Sequence, residues 1–324
     1  MTKPKIAFNW SCSCGGCEEA IVDLHEGILD VVQAVDIVFW PVALDFKYAD
    51  LEALPDGGID VAFLNGSIRT SEQEHIAKIF RKKAKMVVAF GACAGLGGIM
   101  GLGNLHDRAE IFANSFIDCP SVDNPKRTLP QTRSRVDGIE LELPDFYDTV
   151  KTLDQTIAVD YYLPGCPPMV DTIKDALGAI LAGQLPPRGA ILSPNKALCE
   201  TCPRKDSKPD RLEIDRFRRP VEMMIDPEKC FLEQGLVCSG IATRGGCGEK
   251  CIRVNMPCRG CYGPTDQVDD QGMALLSGLA SILSPTDPAA SVAAAATIAD
   301  PVGTAYRFSL PASTLRRKRM EVRK

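Results

Sequence analysis

The chain has 324 residues, of which 45% are apolar and 24% are charged, and its formal net charge is −5 at pH 7. This length favours two domains over one, and the composition is that of a globular protein without the excess of positive charge that would indicate nucleic acid as a partner. Disulfides are a poor explanation for its 14 cysteines, because they are typical of small secreted chains and the N-terminus "MTKPKIAFNW" has neither an apolar signal region nor a twin arginine. We therefore expect a cytoplasmic protein whose thiols serve metal or redox chemistry.

Strand-like and helix-like segments alternate through the first half of the chain. Short apolar runs typical of buried parallel strands occupy residues 5–10, 35–40, 59–66, 85–91 and 157–165. Helical patterns occupy residues 17–32, 71–83 and 168–183. A capping box of Ser71 and Glu74 is predicted to begin the second helix. The alternation predicts a doubly wound α/β domain over about residues 1–185.

The longest uncharged stretch is residues 86–104, which contains six glycines and follows a strand-like run. A membrane-spanning helix needs about 20 predominantly apolar residues, so the length alone would allow one. We interpret the stretch as a strand and a glycine-rich loop, and we predict no membrane span.

Four cysteines follow predicted strands. Cys14 and Cys17 come after the first strand, Cys93 after residues 85–91, and Cys166 near the end of residues 157–165. Because the loops at the carboxyl ends of parallel strands lie at one edge of a sheet, these four thiols could meet at one point. Ligands from loops so far apart suit an iron–sulfur cluster better than a zinc ribbon, which uses two short knuckles.

The pattern changes after residues 183–194, which are rich in glycine and proline. Eight cysteines follow, namely Cys199, Cys202, Cys230, Cys238, Cys247, Cys251, Cys258 and Cys261. Regular periodicity is weak there, so we expect metal ligation to contribute to folding directly. Paired CxxC motifs also begin zinc ribbons, and zinc therefore stays an alternative. Beyond them we expect an amphipathic stretch at residues 271–283, an alanine-rich loop at residues 289–296 and a basic tail.

Glu18 and Glu19 lie in the first turn of a predicted helix. The helix dipole favours carboxylates at this position, and proton transfer is the alternative role. No ligand role is predicted for Cys12, Cys119, His25, His75 or His106. Phosphate-binding glycine motifs are absent from the sequence, which gives no support for nucleotide binding.

The motifs together resemble a known family. "CGGCEE", "GACAGLGG", "PGCPP" and "PCRGC" are similar to motifs of the small, electron-transferring subunit of nickel–iron hydrogenases, and the resemblance covers roughly residues 5–310. The cytosolic, methyl-viologen-reducing type that works with heterodisulfide reductase is the most similar branch. The resemblance implies a flavodoxin-like domain and an oxidoreductase subunit, with hydrogen activated at the nickel–iron site of a large subunit.

The resemblance also implies three 4Fe-4S clusters and their ligands. The proximal set is Cys14, Cys17, Cys93 and Cys166. The distal set is Cys199, Cys202, Cys230 and Cys238. The medial set is Cys247, Cys251, Cys258 and Cys261. In periplasmic relatives a histidine stands at the position of Cys199 and a proline at that of Cys251, so this chain is expected to differ from them at both clusters.

The expected organisation has three parts. Residues 1–185 form the flavodoxin-like domain, residues 186–275 a smaller irregular iron–sulfur domain, and residues 276–324 a C-terminal extension. The expected partners are the large subunit, an iron–sulfur adaptor subunit and a heterodisulfide-reductase-like complex, with no nucleic acid. Two alternatives are an iron–sulfur subunit of the quinone-reductase type, which shares the fold, and a zinc-stabilised interaction protein.

Overall fold

The computed structural model describes residues 3–284 and 287–318. Its strands are β1 (Lys5–Trp10), β2 (Asp36–Phe39), β3 (Ile59–Asn65), β4 (Ile68–Thr70), β5 (Ala84–Phe90), β6 (Arg133–Val136), β7 (Ile139–Glu142), β8 (Phe146–Lys151) and β9 (Tyr161–Leu163). Its α-helices are α1 (Gly16–Val22), α2 (Gly27–Ala34), α3 (Tyr48–Ala53), α4 (Ser71–Lys83), α5 (Ala92–Leu96), α6 (Arg108–Ala113), α7 (Val170–Leu181), α8 (Leu198–Thr201), α9 (Lys250–Arg253), α10 (Gln271–Ser281), α11 (Pro288–Ala295) and α12 (Pro301–Ala305).

The first part of the chain is built on a five-stranded parallel sheet in the order β2-β1-β3-β5-β9. Successive side chains of a strand face opposite sides, so Ile6 and Phe8 pack with α1 and α7 while Ala7 packs with α3 and α4. Helices therefore cover both faces of the sheet, and the predicted doubly wound α/β fold is confirmed. The two antiparallel pairs, β4 with β8 and β6 with β7, lie outside this sheet.

The helix predicted over residues 17–32 is wrong in one respect, because two helices occupy it. The chain turns between α1 and α2, and His25 takes a left-handed backbone conformation with φ of 53°. Few non-glycine residues adopt this conformation. The continuous apolar periodicity did not reveal the turn.

The predicted capping box of α4 is also wrong by one residue. Thr70 accepts a hydrogen bond from the Gln73 N–H at 3.3 Å, and Gln73 Oε1 accepts one from the Thr70 N–H at 3.1 Å. Glu74 forms ion pairs with Lys78 and Lys151 instead. Glutamine serves at the third position as well as glutamate does, so the sequence allowed both boxes.

Two segments predicted as loops contain helices. The glycine-rich stretch after β5 forms α5 and a 3₁₀ helix at Ile99–Leu105. The alanine-rich segment forms α11, where Asp287 accepts a hydrogen bond from the Ala290 N–H at 2.9 Å and Pro288 occupies the first helical position. Alanine has the highest helix propensity, and aspartate and proline are favoured at these positions, so the loop prediction underweighted local signals.

The cysteine-rich part has an apolar core of its own. Buried side chains from widely spaced segments pack together there, including Leu198, Phe231, Leu236, Leu279 and Tyr306. The predicted amphipathic stretch at residues 271–283 forms α10, which contributes to this core. Apolar burial thus supports this part beside any metal.

The C-terminal segment returns to the first part of the molecule. The Gly98 N–H donates to the Phe308 carbonyl at 2.9 Å, and Asn104 Nδ2 donates to the Arg316 carbonyl at 2.9 Å. Pro311 fills the space beside Gly97 and Gly101, where a Cβ would collide with its ring. The last six residues of the basic tail lie outside the described residues. In the part of the chain that the structure describes, no helix is long and apolar enough to cross a membrane.

Candidate metal centres

The proximal set gathers at the carboxyl edge of the sheet. Cys14 follows β1, Cys17 lies in α1, Cys93 lies in α5 directly after β5, and Cys166 follows β9. Burial raises the pKa of Cys17, and the thiols of the other three cysteines raise it further. Burial also raises the pKa of Cys93 to about 12, again with repulsion from neighbouring thiols. The structure therefore brings these four side chains together.

Two glycines make room for these thiols. Gly91 has φ of 87° and Gly98 has φ of 64°, a backbone region that glycine adopts without strain. A Cβ at Gly91 would collide with the sulfur of Cys17, and a Cβ at Gly98 would collide with that of Cys93. Glycine is therefore required at both positions by conformation and by the close approach of a thiol.

The distal set forms a second group. Burial raises the pKa of Cys199 to about 11, a shift that Lys208 opposes and that Cys202 and Cys230 increase. Burial raises the pKa of Cys238 to about 12, and the thiols of Cys199 and Cys230 contribute to this rise. Backbone N–H groups of Gly240 and Cys258 act in the opposite direction. The four cysteines are thus electrostatic neighbours.

The medial set forms a third group. Burial raises the pKa of Cys261 to about 12, with contributions from the thiols of Cys247 and Cys251. Burial likewise raises the pKa of Cys258, and Cys261 adds to that rise. Cys251 is exposed and lies in α9, whereas Cys258 is buried.

The three groups adjoin in a row. Cys261 of the medial set is an electrostatic neighbour of Cys166 in the proximal set. Cys258 of the medial set is a neighbour of Cys238 in the distal set, and its backbone N–H points toward that thiol. The medial set therefore lies between the other two.

The donor chemistry of each group fits an iron–sulfur cluster. Burial and mutual repulsion both disfavour thiolates, so four thiolates can be buried together only around positive charge. Four cysteine thiolates are the usual ligands of a four-iron cluster, and soft thiolates also suit zinc. Among residues 3–284 and 287–318, no group of three or more histidine, cysteine, aspartate or glutamate side chains is spaced to hold a single metal ion.

Glu18 is the buried carboxyl group of this edge. Asn65 Nδ2 donates to its Oε1 at 2.7 Å, and Trp40 Nε1 donates to its Oε2. Burial raises the pKa of Glu18 to about 7, although both hydrogen bonds oppose the rise. Glu19 is exposed. Of the two predicted proton carriers, only Glu18 is therefore placed in a protected site beside Cys17.

Sequence reasoning did not identify Trp40 and Asn65 as part of this site. Asn65 is the last residue of β3, and it also accepts a hydrogen bond from the Ser13 hydroxyl at 2.8 Å. A buried polar residue at the carboxyl end of a parallel strand was the available signal, since ligands bind at that edge.

The remaining cysteines have other neighbours. Burial raises the pKa of Cys12, while a hydrogen bond with Ser67 and the positive charge of Arg69 act against the rise. The sulfur of Cys119 is 3.3 Å from the Ser121 hydroxyl, and this hydrogen bond lowers the pKa of Cys119. Their assignment as non-ligands stays a prediction, as does that of His25, His75 and His106.

Known proteins resemble the chain over nearly its whole length. The family described as "NADH ubiquinone oxidoreductase, 20 Kd subunit" matches residues 14–180. The iron–sulfur subunit of the F420-non-reducing hydrogenase of Archaeoglobus profundus is 40% identical over 317 residues, which are 97% of this chain and 98% of the relative. The chain belongs to the small-subunit family of nickel–iron hydrogenases. The corresponding subunit of the F420-non-reducing hydrogenase of Methanothermobacter thermautotrophicus is 37% identical over 97% of this chain and 96% of its own.

A solved hydrogenase supports the fold. The [NiFeSe] hydrogenase of Desulfovibrio vulgaris Hildenborough matches with a TM-score of 0.51 and 18% identity, over 82% of this chain and 94% of that chain. This hydrogenase small subunit is therefore α/β, with a parallel sheet followed by a smaller irregular region. The family that takes its name from a quinone reductase matches only residues 14–180, whereas the hydrogenase relatives also match the second half, so the hydrogenase interpretation is confirmed over the quinone-reductase alternative.

The membership settles the general activity. The chain is a subunit of a hydrogenase, an oxidoreductase, and relays electrons. Small subunits of this family carry iron–sulfur clusters and pair with a nickel–iron large subunit.

Proposed function

We propose that this hydrogenase small subunit relays electrons through three 4Fe-4S clusters between the nickel–iron site of its large subunit and a redox partner. The observation that carries the proposal is the grouping of twelve cysteines into three sets of four that adjoin in a row. On this assignment the proximal, medial and distal sets supply the ligands in that order.

The clusters would supply one-electron chemistry close to the hydrogen couple. The potential of that couple falls by about 59 mV per pH unit, which gives roughly −410 mV at pH 7. Four-iron clusters span about −700 to +450 mV and are tuned by charge, hydrogen bonds and exposure. The protein's part is to hold the thiolates, exclude water from the buried ones and provide the N–H groups near Cys238.

The proximal edge is the proposed contact with the large subunit. Cys14 is exposed there, and Trp10, Val42 and Leu44 are exposed apolar side chains at or after the carboxyl ends of β1 and β2. Apolar side chains of this kind are typical of a protein interface. Glu18 is proposed to accept or donate a proton beside this contact, because a pKa near 7 suits proton exchange at neutral pH.

The finer assignments follow from the resemblance to iron–sulfur subunits of F420-non-reducing hydrogenases. We propose an iron–sulfur adaptor subunit and a heterodisulfide-reductase-like complex as further partners, and a cytoplasmic location. We also propose the division into residues 1–185, 186–275 and 276–324.

Metal and sulfide analysis of the anaerobically purified chain tests the proposal. We expect about twelve irons and as many sulfides per chain, with no stoichiometric zinc, since twelve thiols form three ligand sets. Cys247→Ser should lower the iron content, whereas the matched variant Cys119→Ser should retain it. About four irons, or zinc in proportion to protein, would refute the three-cluster assignment.

A further inference from the structure

Arg204 is a buried arginine next to the distal set, two residues after Cys202. Only 5% of its surface is exposed. Its guanidinium donates to the carbonyls of Asp226 at 3.2 Å and Lys229 at 3.1 Å, and to Asn255 Oδ1 at 2.7 Å. A longer contact of 3.5 Å reaches the Ile252 carbonyl. The same group lies over the ring of Phe231, 4.0 Å from its centroid.

Every one of these partners is neutral. Within residues 3–284 and 287–318, no carboxylate lies within 4.0 Å of the Arg204 nitrogens. Arg244 provides the contrast, because it is equally buried and forms an ion pair with Asp266. A buried cation without a compensating anion is costly, since burial removes water from the charge. The arrangement therefore indicates a nearby anion that the side chains do not supply.

The acceptors of Arg204 flank cysteines of two different sets. Lys229 precedes Cys230 of the distal set, and Phe231 follows it. Ile252 follows Cys251 of the medial set. The guanidinium thus lies between the two places where the proposed function puts four-thiolate clusters. Such clusters carry a negative charge that grows with each electron they accept.

We propose that Arg204 sets the reduction potentials of both the medial and the distal cluster by stabilising their reduced forms; this rests on the proposed function. Opposite charges attract strongly where water is excluded, so a fixed cation favours the state with the extra negative charge. Charge near a cluster is among the factors that set its potential. The guanidinium remains protonated throughout, so one electron enters the cluster and no proton is exchanged with Arg204.

A purely structural role would have a different signature. The hydrogen bonds of Arg204 also join residues 226–231 to residues 252–255, and this connection alone could explain the side chain. Glutamine keeps a donor but removes the charge, whereas lysine keeps the charge. The pair Arg204→Gln and Arg204→Lys therefore separates charge from connection.

Redox titration of the assembled hydrogenase, followed by electron paramagnetic resonance, tests the proposal. With dithionite as reductant, Arg204→Gln should make reduction of both clusters at least tenfold less favourable, a fall of about 59 mV for one electron. Arg204→Lys should keep both equilibria within about threefold of the wild type. The proximal cluster serves as an internal control and should not change. Lys208→Gln removes an exposed charge near Cys199 and should give a smaller shift that added salt abolishes.

Each result supports or overturns the proposal. Unchanged potentials in Arg204→Gln with a normal iron content would overturn it, as would equal shifts in the glutamine and lysine variants. If Arg204→Gln does not retain its clusters, Arg204→Lys decides alone, and a tenfold or larger fall despite the retained charge would overturn the proposal. A wild-type protein without iron–sulfur signals would instead refute the proposed function.

Discussion

Glu18 is held among neutral hydrogen-bond donors, and this gives a residue-scale prediction. Its pKa is raised to about 7 from the ordinary value of 4.5, chiefly by burial. The folded protein therefore binds a proton more tightly than the unfolded chain, so the folded state loses relative stability as the pH rises from about 4.5 to 7. In infrared difference spectra, a protonated-carboxyl band should disappear as the pH rises through about 7.

Variants identify the source of that band. Glu18→Gln should remove it, and Glu19→Gln should leave it unchanged because Glu19 is exposed. Asn65→Leu removes a donor that lowers the pKa, so the transition should move to higher pH. A band that persists in Glu18→Gln would mean that another carboxyl group titrates there.

The loop that carries Cys93 gives a prediction at the scale of an element. Gly98→Ala combines an unfavourable left-handed conformation with a collision against the sulfur of Cys93. We expect a loss of about 1–3 kcal/mol in unfolding free energy and of about four of twelve irons per chain. Thermal unfolding and iron analysis provide the two readouts.

Gly138→Ala is the matched control. Gly138 has φ of 83° in the turn between β6 and β7, and no atom lies within 4 Å of an added Cβ. Its strain alone should cost about 1–2 kcal/mol and leave the iron content unchanged. Equal iron loss in the two variants would show that backbone strain, and not the space beside Cys93, determines cluster retention.

The elements of the sheet could be predicted because their signal is local. Apolar runs bounded by glycine or proline located all five strands of the sheet, and the cysteines at their carboxyl ends followed from the rule for parallel sheets. The break between α1 and α2 depends on the left-handed turn at His25, which apolar periodicity does not encode. The helix α11 had adequate local signals that the loop prediction underweighted.

Contacts between distant segments were beyond the sequence alone. Glu18, Trp40 and Asn65 come from three separate loops or strand ends, and only the folded sheet brings them together. Arg204 is in the same position, since its acceptors lie 22 to 51 residues further along the chain. Buried polar groups of this kind become visible only when the hydrogen-bond partners of each are known.

At the scale of the whole molecule, the chain closes on itself around the row of thiols. The sheet holds the proximal set, the irregular part holds the other two, and residues 308–316 return to the loop after Cys93. Tyr262 adds a contact between the parts, because its hydroxyl accepts a hydrogen bond from the Met169 N–H at 3.1 Å. This packing keeps the proximal and medial sets adjacent.

The central claim is that the twelve cysteines hold three four-iron clusters in a row. An anomalous difference map recorded at the iron edge, from crystals of the purified hydrogenase, tests it most directly. The account predicts three separate iron peaks in this subunit, one surrounded by each of the proximal, medial and distal sets, with the medial peak between the others. Fewer iron peaks, a zinc-edge peak at the late cysteines, or a peak coordinated by Cys12 or Cys119 would contradict it.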